Sequence, residues 1–191
     1  MVVNPQYLDK ENLAQIQSLF KQNKELPSIH LHSFFELNFY GKILEEISSL
    51  SFKKEKDPLT HSYSAANIPR LLSSFFSSSE FKDFLFSVGG KRLSVIGGRL
   101  FSFSWKEYTV LHDTNVDKPG YDLIIDCTDD WDDSFGGSLI YVPGTGEYTS
   151  IPYRGNSLTI VQRKKGVQKF IKYVNTHAGK KKRIFFLGNL K

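Results

Sequence analysis

Ser157-Leu158-Thr159-Ile160-Val161-Gln162 is one of eight short apolar runs that fill the chain after Gly90. Most of the runs are rich in β-branched and aromatic residues, and Gly, Pro, Asn or Asp separates most of them from the next. Eight strands at this spacing favour a sandwich or jelly roll over a parallel α/β sheet. The predicted strands are Leu93–Ile96, Leu100–Trp105, Tyr108–Leu111, Asp122–Cys127, Ser138–Val142, Ser157–Gln162, Lys169–Val174 and Lys182–Leu187.

The first half of the chain has helical periodicity instead. Apolar residues recur at helical spacing across residues 7–24, with Asp9 as a candidate N-cap. Ile29–His32 alternates like a strand, and the charged run Lys53–Asp57 predicts a loop. Three further helices are predicted at 37–50, 67–76 and 79–88.

These patterns predict one domain over residues 1–191. Residues 1–90 form a mostly helical support, and residues 91–191 form the β core. The fold class is therefore α+β, mainly β: a jelly roll with N-terminal helices packed on one side. A hydrophobic content of 40%, with 16 Phe and 9 Tyr, is adequate for a packed core.

Cysteine usage and hydropathy indicate the compartment. Cys127 is the only cysteine, which excludes an intramolecular disulfide and a cysteine-based zinc site. No run approaches the roughly 20 apolar residues of a transmembrane segment. The first fifteen residues lack the apolar core of a secretory signal. We therefore expect an intracellular protein, in the cytoplasm or, as the open alternative, in an organelle.

The net charge of +5 is unevenly placed along the chain. Residues 163–191 contain ten Lys or Arg and no Asp or Glu, whereas residues 122–133 contain six Asp. The basic segment 163–191 could contact RNA, a ribosome or another acidic surface. The competing interpretation is one solvated edge of a sheet, because no RNA-recognition motif accompanies the charge.

Tyr108–Thr114 predicts a strand that leads into an incomplete metal motif. A carboxylate two residues after His112 would provide two ligands of a 2-His-1-carboxylate site, the usual ligand set of non-heme Fe(II) oxygenases. The chain has Thr114 at that position, and a neutral hydroxyl is a poor ligand for a divalent cation. Asp113 does not replace it, because neighbouring residues of a strand point to opposite faces.

Further motifs follow in a fixed order along the chain. In the order and spacing of these motifs, the chain resembles the 2-oxoglutarate and Fe(II)-dependent oxygenases over about residues 28–190. The resemblance is strongest to the prolyl hydroxylases that modify a ribosomal protein. The residues that carry the resemblance are Phe34-Phe35, Ser51-Phe52, Ser79–Leu85, Tyr108-x-x-x-His112, the acidic loop with Trp131, Phe135-Gly136-Gly137-Ser138-Leu139, Gly155-Asn156-Ser157-Leu158, Gly166 and Arg183.

The resemblance implies a double-stranded β-helix and a specific set of site residues. In the family, a His and a carboxylate on an early strand and a His on a late strand hold iron, and an Arg on the last strand pairs with 2-oxoglutarate. His112 matches the first ligand, Thr114 stands at the carboxylate, and Phe170 stands at the second His. Arg183 matches the arginine, and Tyr108 matches a tyrosine that hydrogen-bonds the cosubstrate.

Smaller features outside this set have structural interpretations. Gly136-Gly137 predicts a tight strand entry where no Cβ fits. Trp131 is predicted to anchor its loop on the sheet. His30 and His32 would lie on one face of their strand, a spacing that can bind metal, but without a third ligand nearby we interpret them as sheet-face residues.

The main hypothesis is a degenerate oxygenase domain without cofactors, which acts as a structural or binding subunit of a larger assembly. The alternative is an active prolyl hydroxylase with Fe(II) and 2-oxoglutarate, whose site would need His177 or Asp126 as a ligand. A third possibility is a pseudoenzyme that senses 2-oxoglutarate through Arg183 and Tyr108, unless Arg183 pairs with Asp126 instead. A sugar-binding jelly roll has the same architecture and is the remaining hypothesis.

Overall fold

A computed structural model describes residues 2–111, 118–144 and 147–191. His112 and Thr114 therefore lie outside the described residues. Among those that are described, no helix is both long and apolar enough to cross a membrane.

The helices begin and end at residues that the sequence marks. Asp9 caps the first helix by accepting hydrogen bonds from the amides of Glu11 and Asn12, as predicted. Gly90, with a φ of 69°, ends the fourth. The helices are α1 (Lys10–Phe20), α2 (Leu37–Ser48), α3 (Arg70–Ser77) and α4 (Ser79–Gly89).

The strands form two antiparallel sheets. They are β1 (Ser28–Leu31), β2 (Lys53–Asp57), β3 (His61–Ala66), β4 (Val95–Phe103), β5 (Tyr108–Thr109), β6 (Gly120–Asp126), β7 (Leu139–Val142), β8 (Thr149–Ile151), β9 (Ser157–Arg163), β10 (Gln168–Ile171) and β11 (Arg183–Leu190). The large sheet has the order β1-β9-β6-β11-β4-β3-β2, with β5 paired to β3, and the small sheet has the order β10-β7-β8. From β6 onward the chain passes from the large sheet to the small one (β7, β8), back to the large (β9), to the small (β10) and again to the large (β11), which agrees with the predicted α+β, mainly β jelly roll.

The centre of the large sheet, at β6, is buried on both of its faces. In β6, Leu123 and Ile125 pack with the helices, whereas Ile124 belongs to a second cluster between the two sheets. Because successive residues of a strand point to opposite faces, both faces must be apolar. This explains why β6 is predicted as a continuous apolar run, and it places the N-terminal helices on one side, as expected.

Three features of the strands differ from the predictions. Lys53–Asp57, predicted as a loop, is the edge strand β2, and charged residues on an edge oppose pairing with other chains. The runs Leu93–Ile96 and Leu100–Trp105 form the single strand β4. The sequence did not predict β3 or β8, and residues 1–90 contain the three strands β1, β2 and β3 beside their four α-helices.

Candidate functional site

Three of the residues singled out by the resemblance lie on described strands. Tyr108 is on β5, directly before the segment with His112; Phe170 is on β10; and Arg183 is the first residue of β11. The roles of His112 and Thr114 stay predictions, because these two residues lie outside the described part of the chain. The other candidates can be examined side chain by side chain.

Strand β10 contributes no imidazole or carboxylate. Lys169 binds the carboxylate of Asp122 at 2.9 Å, and Ile171 belongs to the cluster between the sheets. Phe170 pairs with Ile140 and lies between these two residues on β10, and it is also among the residues that line the cavity between the two sheets. The assignment of Phe170 to the second histidine position stays a prediction, and neither Lys169 nor Ile171 can replace that histidine.

Arg183 is fully buried and already has an anionic partner. Its Nη2 atom lies 3.2 Å from Oδ2 of Asp126, and its Nη1 atom donates to the carbonyl of Gly137. The guanidinium also lies between two rings, 4.4 Å from the centre of Tyr153 and 4.8 Å from that of Phe185. Burial lowers the pKa of Arg183, and the charge of Asp126 opposes that shift. The sequence left 2-oxoglutarate and Asp126 as alternative partners of Arg183, and the structure shows the pair with Asp126.

Tyr108 makes contacts that differ from those of Arg183. Its hydroxyl donates to the carbonyl of Pro58 at 3.2 Å, and its ring lies 6.2 Å from that of Tyr173. Among these contacts of the described residues, Tyr108 and Arg183 have no partner in common. Binding of one 2-oxoglutarate molecule would need both side chains to reach the same ligand.

An active site would need Asp126 or His177 as a replacement metal ligand. Asp126 is engaged in other hydrogen bonds, and His177 is exposed. Asp126 accepts from Arg183 and from the amide of Thr128 at 2.8 Å. His177 is exposed in a short turn, where its amide donates to the side chain of Asn175. Neither residue is placed beside another ligand among the described side chains.

A cavity of about 520 Å³ lies between the two sheets. Aromatic side chains form one wall, and basic and amide side chains also line it. The sequence did not predict it, because two lining residues, His61 and Tyr63, come from the missed strand β3. The alternation of His61, Tyr63 and Ala65 was the signal that could have identified that strand.

A buried ion network borders this cavity. The carboxylate of Asp122 has no exposed surface and lies 2.9 Å from both Arg163 Nε and Lys169 Nζ. The hydroxyl of Tyr141 donates to the same carboxylate at 2.7 Å. A carboxylate removed from water must be paired in this way, so the network fixes Lys169 at the cavity wall.

The side chains that the structure describes do not assemble the family's iron site, and His112, matched to the first ligand, lies outside them. Within residues 2–111, 118–144 and 147–191, no three His, Cys, Asp or Glu side chains approach closely enough to hold a metal ion. The sequence adds a threonine at residue 114. Arg183, which the resemblance matches to 2-oxoglutarate, does not line the cavity and is paired with Asp126.

Two comparisons of sequence agree with the fold. The family model described as "Oxoglutarate and iron-dependent oxygenase degradation C-term" matches residues 50–189. The prolyl 3-hydroxylase OGFOD1 of Xenopus laevis is 24% identical over 91% of this chain and 42% of that protein. The chain thus spans about two fifths of the length of this curated relative.

Solved structures of similar shape belong to the same class of fold. A 2OG-Fe(II) oxygenase family protein from Burkholderia pseudomallei superposes with a TM-score of 0.72 at 9% identity, covering 94% of this chain and 90% of its own. A prolyl hydroxylase from Trichoplax adhaerens, solved with a hypoxia inducible factor peptide, gives 0.67 at 13% identity, with coverage of 94% and 90%. At these identities the similarity shows the fold alone.

Proposed function

The chain belongs to the family of oxoglutarate and iron-dependent oxygenase C-terminal domains, and from that premise we propose that it does not perform iron-dependent catalysis. It is a prolyl hydroxylase-like domain by family and fold. The proposed role is that of a structural or binding subunit in a larger assembly, without Fe(II) or 2-oxoglutarate as a cofactor.

The observation that carries this proposal is the ion pair between Arg183 and Asp126. The resemblance implies that Arg183 binds the distal carboxylate of 2-oxoglutarate. In the structure, the guanidinium of Arg183 is instead paired with the carboxylate of Asp126. A free dicarboxylate would have to displace Asp126 and leave that buried carboxylate unpaired, which is unfavourable. The residues Lys169 and Ile171 on β10 and Thr114 in the sequence support the same conclusion for iron.

Metal content and cosubstrate turnover test the proposal together. The purified chain is incubated with Fe(II), ascorbate, 2-oxoglutarate and proline-containing peptides, and succinate release and bound iron are measured. We expect no succinate above that of a His112→Ala control and less than 0.1 iron per chain after gel filtration, on the order expected of a site with one ligand. Stoichiometric iron together with succinate release, both removed by the His112→Ala change, would instead support the active hydroxylase.

An acidic partner is the second part of the proposal. Lys164 and Lys165 in the β9–β10 turn and Lys180 and Lys182 before β11 are exposed, and no Asp or Glu occurs between residues 163 and 191. Charge reversal at Lys164 and Lys165 should weaken binding to RNA or ribosomes, whereas reversal at Lys53 and Lys56 on β2 should not. Equal affinity for both variants would exclude this surface.

A further inference from the structure

We propose that the cavity between the two sheets binds a flat, largely apolar molecule that carries one anionic group. This proposal extends the proposed function, because it assigns a ligand class to a domain that is proposed to lack catalysis. The cavity has a volume of about 520 Å³, which lies in the range of roughly 300–1,000 Å³ that is typical of sites for small molecules.

The aromatic wall of the cavity selects the body of the ligand. The rings of Phe103 and Phe185 are parallel within 3°, with centres 5.8 Å apart, and Phe101 stacks on Phe185 at 5.9 Å. Tyr63 meets Phe101 edge-on at 5.3 Å. Rigid rings from three neighbouring strands form a continuous apolar surface, and a planar aromatic molecule can cover it by offset or edge-on contacts.

The charges around the cavity select the head of the ligand. Lys118 and Lys169 line it together with His61, and the lining residues that the structure describes include no Asp or Glu. Asp122 is shared by Lys169 and Arg163, so these three charged side chains sum to one positive charge beside the cavity, whereas Arg183 and Asp126 neutralise each other. An anionic group near these side chains is therefore favoured over a cationic one.

The same geometry argues against 2-oxoglutarate as the occupant. The arginine that the family uses for that compound does not line the cavity, and Asp126 neutralises it. A short dicarboxylate cannot cover the rings of Phe101, Phe103 and Phe185, and its second carboxylate would lie against an apolar wall. The proposed ligand therefore differs in class from the family's cosubstrate.

The test uses the full chain and the fluorescent probe 8-anilinonaphthalene-1-sulfonate, which has a flat naphthalene system, a further phenyl ring and one anionic group. We expect one binding site with a Kd of about 1–100 μM, equivalent to roughly 5–8 kcal/mol. 1-Naphthoate should displace the probe, whereas neutral 1-naphthalenemethanol should do so at least about tenfold less well. An unchanged near-ultraviolet circular dichroism spectrum shows that the probe does not report a molten state.

Two variants locate the site. Leu187→Trp adds a ring to the cavity and should abolish probe binding, whereas Leu37→Trp, on an exposed helix position, should not. Lys118→Ala should weaken binding at least about threefold, with Lys56→Ala on β2 as the control, because a screened exposed charge contributes up to about 1 kcal/mol. Lys118→Ala also keeps the test decisive if Leu187→Trp does not fold.

The outcomes separate this proposal from the proposed function. No probe binding, or binding that neither Leu187→Trp nor Lys118→Ala reduces, would overturn the cavity proposal and leave the absence of catalysis untouched. Displacement of the probe by 2-oxoglutarate at micromolar concentration would overturn the assigned ligand class and the proposal that 2-oxoglutarate is not a cofactor, because it would identify the cavity as a site for that compound.

Discussion

Arg183 and Asp126 form an ion pair that water does not reach, since both side chains are at most 2% exposed. Asp126→Asn keeps the volume of the side chain but leaves the guanidinium without an anionic partner. We expect the free energy of unfolding to fall by about 3–5 kcal/mol, the usual effect of removing one partner of a buried pair. Urea denaturation followed by circular dichroism measures the change.

The matched control for this variant is Asp130→Asn. Asp130 pairs with Lys181 at 2.7 Å, but both side chains are largely exposed. Its removal should change the free energy of unfolding by less than about 1 kcal/mol. Similar losses for the two variants would show that Asp126 does not hold Arg183 in the way the contacts indicate.

His30 gives the fold a dependence on pH. Its Nδ1 atom lies 2.6 Å from the hydroxyl of Thr159, and its ring centre is 4.4 Å from that of His32. Burial, His32 and Arg154 lower the pKa of His30 to about 4. Because this pKa is depressed in the folded state, the unfolded chain binds the extra proton first, and stability falls as the pH drops from about 6.5 to about 4.

The variant His30→Gln should remove this part of the pH dependence. The difference in unfolding free energy between pH 7 and pH 4.5 should shrink by on the order of 1 kcal/mol, since the ring is only half-buried and solvent screens its charge. Urea titrations at the two pH values measure it. His177→Gln, at an exposed turn, serves as the control and should match the unmodified chain.

At the scale of the element, the turn into β7 depends on glycine. Gly136 has a φ of 78° and a ψ of −150°, a region that side-chain-bearing residues rarely adopt, and a Cβ there would collide with the carbonyl oxygen of Tyr173. Gly136→Ala should therefore lower the unfolding free energy by about 2–3 kcal/mol. Thermal or urea denaturation of the variant gives this number directly.

Replacement of Gly41 by alanine should stabilise the fold, in contrast to Gly136→Ala. It lies inside α2, and a Cβ there meets no atom within 4 Å. Gly41→Ala should raise the unfolding free energy by about 0.5–1 kcal/mol, because alanine loses less backbone entropy in a helix. A stabilising Gly136→Ala would contradict the conformation described for the strand entry.

The elements also show which parts of the fold a sequence can reveal. Apolar periodicity predicted β6 and β9, and the Gly136-Gly137 pair and Trp131 behave as predicted, with Trp131 packed on the interior cluster. Strand β2 was missed because its charged residues lack an apolar face, and its strand form depends on pairing with β3. Local pattern cannot reveal a strand whose stability comes from a distant partner.

At the scale of the molecule, the candidate site was only partly predictable. The position of Arg183 at the start of the last strand followed from the family pattern, and Asp126 was a named alternative partner. The buried network around Asp122 and the cavity could not be predicted, because they join separate strands: in the network, Asp122 contacts residues 19 to 47 positions away. Such contacts depend on how the two sheets close over each other, which the spacing of apolar residues does not specify.

The stability of the whole molecule offers a direct comparison of cofactor and cavity ligand. A compound that binds only the folded state raises its stability by RT ln(1 + [L]/Kd), about 2.7 kcal/mol at a hundredfold excess over Kd. For a chain of 191 residues, this corresponds to a rise in the melting temperature of roughly 5–10 °C.

We expect no such rise with 1 mM Mn²⁺ plus 1 mM 2-oxoglutarate, because Arg183 is already paired and β10 supplies no metal ligand. With 1 mM 1-naphthoate we expect a rise of several degrees. A shift that requires both Mn²⁺ and 2-oxoglutarate, and that His112→Ala abolishes, would mean that the chain retains a ternary metal–cosubstrate site.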